Sequence, residues 1–128
     1  MATLTPTLTL ASTDATSDDL SFSVTDSISV TDPQTGMSKQ AITATGGNHI
    51  LTAAVDTTKI FFIRHTGVDA SDSSVTTTLA VEDSDNVQFI KLDAGEWCYF
   101  PYNNGTKTLQ LQASAGTIVA EYMFFSHA

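Results

Sequence analysis

Leu20-Ser21-Phe22-Ser23-Val24-Thr25-Asp26-Ser27-Ile28-Ser29-Val30 decides the fold. Apolar side chains occupy the even positions except Asp26, and small hydroxyls occupy the odd ones. Successive side chains of a strand point to opposite faces, so this period of two makes a strand with one greasy face and one wet face. The wet face is built from Ser and Thr rather than Lys and Glu, as suits a surface lying against other protein copies.

The same rhythm returns along the chain. Leu4, Leu8 and Leu10 alternate with Thr3, Thr5, Thr7 and Thr9, while Pro6 removes a ladder donor and assigns this segment to a sheet edge or an extended arm. Ala11 to Asp19 is a polar break. Asp32-Pro33-Gln34-Thr35-Gly36 is a turn, and Gly46-Gly47-Asn48 closes the weakly patterned stretch from Ser38 to Thr45. A short strand from Ile50 to Val55 precedes Lys59 to His65, whose continuous apolar run predicts a central strand buried on both faces. Strands are also predicted over Val75 to Glu82, Val87 to Leu92, Trp97 to Pro101, Thr108 to Gln112 and Ile118 to Phe125. Asn103-Asn104-Gly105 is the strongest hairpin signal.

About nine strands separated by turn signals, with no convincing helix, define an all-β, single-domain antiparallel sandwich. A jelly-roll-like arrangement is expected, with an Ig-like sandwich as the alternative. Residues 1–12 are expected as an arm or edge strand, and residues 13–128 as the sandwich domain. At 128 residues the chain is long enough for one core.

Charge narrows the partners. Five basic residues face 14 acidic ones, a formal net charge of −9. Such a chain repels a phosphate backbone and anionic membrane surfaces, so neither nucleic acid nor membrane is expected as a partner. No apolar run approaches the length of a membrane-spanning helix. The N-terminus lacks the basic and apolar regions of a secretory signal, so use without export is expected.

Candidate chemistry is sparse. Cys98, the sole cysteine, lies between Trp97 and Tyr99 and reads as a buried thiol. His49, His65 and His127 have no metal-ligand spacing, and no Gly-x-Ser-x-Gly elbow is present. Pairs such as Asp18-Asp19 and Glu82-Asp83 read as solvated acids at turns or strand ends. Neither catalytic nor metal-ligating residues are assigned, and no cofactor is expected. Calcium is the alternative weighed at two loops, Asp69, Asp72 and Ser73, and Asp83, Asp85 and Asn86, which default to turn-forming roles. Trp97, Tyr99 and Tyr102 are candidates for a glycan platform or an interface, with Trp97 and Tyr99 on one strand face and Phe100 and Tyr102 on the other. Asn104-Gly105-Thr106 matches a glycosylation sequon but reads as turn chemistry.

The opening Met1-Ala2-Thr3-Leu4-Thr5-Pro6-Thr7-Leu8-Thr9-Leu10 with Ser12 to Asp18, the segment Leu20 to Ser27, and the closing Leu111 to Tyr122 carry a likeness. In these segments, and in length and strand rhythm, the chain resembles short virion structural proteins of tailed phages infecting marine bacteria and cyanobacteria. That resemblance implies a particle component without catalytic residues, foremost a capsid decoration or cement protein on the capsid exterior, made in the host cytoplasm. Its implied partners are the major capsid protein and itself, as a homotrimer, with Thr3, Leu4, Thr5, Leu8 and Leu10 as interface residues. A tail or fibre component contacting host glycans is the alternative, and an enzyme with an acid-rich pocket is the third class considered.

Overall fold

A computed structural model describes residues 2–31, 37–45, 49–52, 59–103 and 107–127. The predicted turns at Asp32–Gly36 and Gly46–Asn48, the second half of the strand from Ile50 to Val55, and the Asn104-Gly105 turn centre lie outside the described residues. Within them the chain is all-β, an antiparallel sandwich without a helix. The strands are β1 (Ala2–Leu4), β2 (Thr7–Ser12), β3 (Leu20–Thr25), β4 (Ile28–Thr31), β5 (Ser38–Thr43), β6 (His49–Thr52), β7 (Lys59–His65), β8 (Leu79–Asp83), β9 (Gln88–Leu92), β10 (Trp97–Tyr102), β11 (Leu109–Ala113) and β12 (Thr117–His127).

Two sheets form the body. The larger runs β1-β4-β12-β7-β10, with β5 also pairing β12, and the smaller runs β6-β11-β8-β9. The eleven-residue β12 organises the larger sheet: β7 pairs along one edge, while β5 takes the beginning of the other edge and β4 its end. Between the sheets, Ile42, Phe61, Ile63, Ile118 and Ala120 meet Leu79, Val81, Leu92, Leu109, Leu111 and Ala113 in one fully buried cluster. Phe61 sits at its centre, with the rings of Phe100 and Phe124 within 6 Å of its own. The predicted central strand is realised in β7, where Ile60, Phe61, Ile63 and His65 are all buried although Phe62 and Arg64 stay partly exposed.

Leu20 to Val30 is divided between two structures. Its last residues form β4 in the larger sheet, whereas among the described residues β3 pairs with β2 alone, as a separate two-stranded ribbon. In both the β1–β4 and β2–β3 ladders the numbers of opposed residues add to 32, from Ala2 with Val30 to Ser12 with Leu20. Asp26 N donates to Pro6 O at 3.0 Å, closing the gap between the ladders. The chain thus opens as one long hairpin in a single register, rooted in the larger sheet and projecting beyond it. The arm expected over residues 1–12 is therefore one half of a two-stranded arm that continues through Thr25. An isolated strand would leave its backbone groups unpaired, and β3 satisfies them.

Candidate functional site

Register fixes the faces of the hairpin. Even-numbered residues share one side, so Ala2, Leu4, Pro6, Leu8, Leu10, Leu20, Phe22, Val24, Ile28 and Val30 form a continuous apolar stripe. The odd side is hydroxyl-lined: Thr7 and Thr25 hydroxyls meet at 3.0 Å, and those of Thr9 and Ser23 at 3.3 Å. These cross-strand contacts stiffen the ribbon without placing an ionised group on it. Neither β2 nor β3 contains an ionisable side chain.

The stripe is packed in its first half and half-exposed in its second. Near the root, Ile28 and Val30 are buried with Ile60, and Ala2, Leu4 and Phe125 pack against them on the outer face of the larger sheet. Further out, Leu8, Leu10, Phe22 and Val24 are between 39% and 49% exposed. Four large apolar side chains on one face of a ribbon make a contiguous patch of the kind that marks an interaction surface.

Where the hairpin leaves the sheet, a cleft of about 710 Å³ opens between its stripe and the outer face of β7 and β10. Pro6, Leu8 and Val24 form one wall, and Phe62, Trp97 and Tyr99 the other. Trp97 is 52% exposed and tilts over Phe62 at 6.0 Å between ring centroids, and Tyr99 is 39% exposed. Asp26 is the acid at the root of the cleft. The Tyr99 phenol is pushed up from its ordinary value by burial and then by the negative charge of Asp26. Cys98, half-buried, is pushed up to about 11 by burial, against a smaller opposing effect of a hydrogen bond with the Ile63 backbone. A thiol in that state is a poor nucleophile near neutral pH.

Beyond Trp97 the outer face turns polar. Arg64 pairs with Trp97 in the β7–β10 ladder, and its guanidinium lies 3.7 Å from Glu121, which Lys39 also approaches at 3.5 Å. Two cations thus share one carboxylate beside the cleft.

The residues expected from sequence are distributed unevenly. Leu10 lies on the exposed part of the stripe, and Leu8 lines the cleft with Trp97 and Tyr99. Thr3 and Thr5 are exposed on the hydroxyl side of the root, while Leu4 is engaged against the buried root cluster. Tyr102 is not brought to Trp97 and Tyr99. It lies on the opposite face of β10, stacked on Phe89 at 6.3 Å and edge-on to Phe61 at 6.2 Å, where burial and then Asp83 raise its phenol. Phe22 and Val24, read from sequence as sandwich residues, belong to the exposed stripe.

In each acidic loop the first carboxylate is used internally. Asp69 Oδ1 accepts from Ser71 N and Ser73 N, and Asp83 Oδ1 from Asp85 N and Val87 N, the side-chain-closed turns that Asp favours. Asp72 and Asn86 adopt left-handed backbone there, with φ of 60° and 64°. Among the described residues, no group of three or more His, Cys, Asp or Glu gathers as a metal site.

Among the described residues the buried polar side chains are His65, Glu82, Gln110 and Ser126. His65 is fully buried, its Nδ1 accepting from Gly67 N at 3.0 Å, so that Nε2 carries the proton and donates to Thr77 O at 2.8 Å. Glu82, expected as a solvated acid, is buried and accepts from Gln110 Nε2 at 3.0 Å; the same amide donates to Asn86 Oδ1. Both arrangements tie loops to the core and lie on elements away from the cleft's arm wall. Comparison with known proteins gives no match to any family model, curated protein or solved structure.

Proposed function

We propose that the chain is a structural protein of a phage virion, a capsid decoration or cement protein that stabilises the head through multivalent contacts with major capsid subunits and with its own copies as homotrimers. The observation that carries this role is the projecting hairpin, whose distal half offers a half-exposed apolar face and, on its other side, an uncharged hydroxyl face. A rigid sandwich with a sticky, charge-free arm is suited to adhesion between subunits, since the chain's net charge of −9 otherwise keeps copies apart. The resemblance of its terminal segments to short phage virion proteins supplies the particle context. Each modest contact holds neighbouring copies at high effective concentration, so many weak attachments give a lasting one.

A tail or fibre protein contacting host glycans is the second reading, favoured by the half-exposed Trp97 and Tyr99 on one face. Sugar recognition combines an aromatic platform with converging polar groups, and here Asp26 is the acid beside that pair. The test is titration of fluorescently labelled protein onto purified phage heads lacking their decoration proteins, in parallel with a glycan array. Saturable binding to heads, at a fixed ratio to major capsid subunits, is the expected result. Absence of head binding together with a glycan signal that disappears in Trp97→Ala would overturn it in favour of the tail reading.

A further inference from the structure

The exposed end of the stripe at Leu10 and Phe22, and the open cleft that Leu8 and Val24 share with Phe62, Trp97 and Tyr99, belong to the same molecule, and one contact can cover both. We propose that the hairpin of one copy lies across the outer sheet face of a second copy. In this contact Leu8, Leu10, Phe22 and Val24 cover Phe62, Trp97 and Tyr99, and the acidic hairpin tip reaches Arg64 and Lys39. The contact deepens the decoration-protein role by naming how copies join, and it stands or falls without reference to any capsid.

Three observations select a second copy as the occupant. The first is continuity. The root of the stripe already packs on this same outer face, against Ile60 and Phe125. Phe62 and Tyr99 are further positions on that face, so the distal stripe would repeat on a neighbour what its proximal half does at home.

The second is charge. The tip between β2 and β3 carries Asp14, Asp18 and Asp19 and no cation. In the sheet beyond Trp97, Arg64 and Lys39 both lie against the Glu121 carboxylate. The ribbon between is free of ionisable groups, so two chains of net charge −9 can meet there without opposing like charges, and their ends match in sign.

The third is area. Six opposed residue pairs at about 3.4 Å per residue make a ribbon roughly 20 Å long. A stable interface buries roughly 800 Å² per partner. One face of so short a ribbon falls short of that, whereas giving one arm and receiving another doubles the contact per copy. The arrangement is head-to-tail, so it closes into a ring when the rotation between copies permits. Packing arm against arm would leave Trp97 and Tyr99 in water.

Trp97 is the only tryptophan, which makes its fluorescence a direct reporter of the cleft. The experiment follows Trp97 emission and sedimentation of the full chain from about 1 to 200 µM, a span covering weak to moderate self-association. It is repeated for an arm variant, Leu10→Asp with Phe22→Asp, for a cleft variant, Tyr99→Asp, and for Arg64→Glu. All four positions are exposed or partly so, and circular dichroism melts confirm that each variant keeps its fold. The expected result is a blue shift of Trp97 emission that tracks an increase in mass. It is abolished in the arm variant although Trp97 is unchanged, and it needs at least tenfold higher concentration in Arg64→Glu. Arm and cleft variants should each be monomeric, yet an equimolar mixture should form a dimer towards the top of the concentration range, weaker than the wild-type assembly, because one supplies a sound arm, the other a sound cleft, and a single contact joins them.

A wild-type chain that stays monomeric throughout overturns the proposal. So does a cleft variant that keeps the wild-type mass while the arm variant loses it, which would assign the stripe to arm-on-arm pairing. A concentration-independent monomer whose Trp97 emission responds to anilinonaphthalene sulfonate would assign the cleft to a small apolar ligand instead. Self-association of the expected kind combined with no binding to phage heads would leave this contact standing and remove the decoration role.

Discussion

Leu10 and Phe22 stand directly opposite each other in the arm ladder, each 46% exposed, on the same side of the hairpin as the buried Ile28 and Val30. One face of one hairpin thus passes from core to solvent without any change in chemistry. The distal rows contribute little to the folding of the body that carries them. Replacing both residues with Thr, a good strand former, should change unfolding free energy by no more than about 0.5 kcal/mol, the range for exposed sites. Chemical denaturation monitored by circular dichroism checks this. Such a pair of substitutions separates adhesion from stability.

His65 shows the opposite balance. Both ring nitrogens are committed inside the protein, to Gly67 N and Thr77 O, and the side chain has no access to water. His65→Phe keeps the volume but leaves the part-buried Gly67 N–H and Thr77 carbonyl without these partners. Each unsatisfied group costs about 1–3 kcal/mol. A loss of roughly 2–5 kcal/mol is expected in urea unfolding, with the loop from Thr66 to Thr78 losing hydrogen-exchange protection first.

The Glu82–Gln110 pair should behave as a unit. Gln110→Leu removes the amide that donates to the buried Glu82 carboxylate and to Asn86. A loss of about 2–4 kcal/mol follows from stranding a charged acceptor. Glu82→Leu combined with Gln110→Leu should recover part of that loss, since the two are direct cross-strand partners and an apolar pair there leaves no carboxylate to satisfy. A double-mutant cycle in guanidinium measures the coupling.

These examples show where sequence was informative. Period-two alternation made the sandwich and the two-faced arm legible, because strand geometry alone turns that pattern into faces. It could not reveal that β2 pairs with β3. Both segments are Thr- and Ser-rich, and the seven residues between them hold no Asn-Gly or Pro-Gly signal to announce a turn. The cleft was equally hidden, since it exists only where the root of that hairpin passes over Phe62 and Trp97, residues remote in sequence. His65 and Glu82 escaped notice because a lone polar residue on a strand carries no mark of its hydrogen-bond partners.

Cys98 gives a pH signature. Its ordinary value of 9.0 rises to about 11 in the folded chain. Below about pH 9 the thiol keeps its proton in both states and contributes nothing to pH dependence. Above it the unfolded chain releases the proton while the folded chain holds it, so stability falls with rising pH until about pH 11 and then levels. Cys98→Ser should flatten that part of the stability profile, as measured by urea titrations at successive pH values. Alkylation of native protein by iodoacetamide should be slow at pH 8 and accelerate towards pH 11, since the thiolate is the nucleophile.

Removing the arm cleanly depends on where the cut is made. Deleting residues 1–12 takes away Ala2 and Leu4, which pack on Ile28, Val30 and Ile60, together with the strand that pairs both β3 and β4. That truncation strips cover from three buried residues and leaves two strand edges unpaired, so a loss of several kcal/mol is expected at roughly 1–2 kcal/mol for each newly exposed aliphatic side chain. Excising Thr7–Thr25 and joining Pro6 to Asp26 through Asn-Gly should instead spare the body. Pro6 and Asp26 already share a backbone hydrogen bond, the spacing a two-residue hairpin turn closes, and the β1–β4 register continues unchanged from Leu4 with Ile28. Calorimetry should give the excised protein a melting temperature within a few degrees of the intact chain, against a large drop for the truncation. Sedimentation of the same excised protein should find it monomeric, which ties self-association to the projecting ribbon and not to the sandwich beneath it.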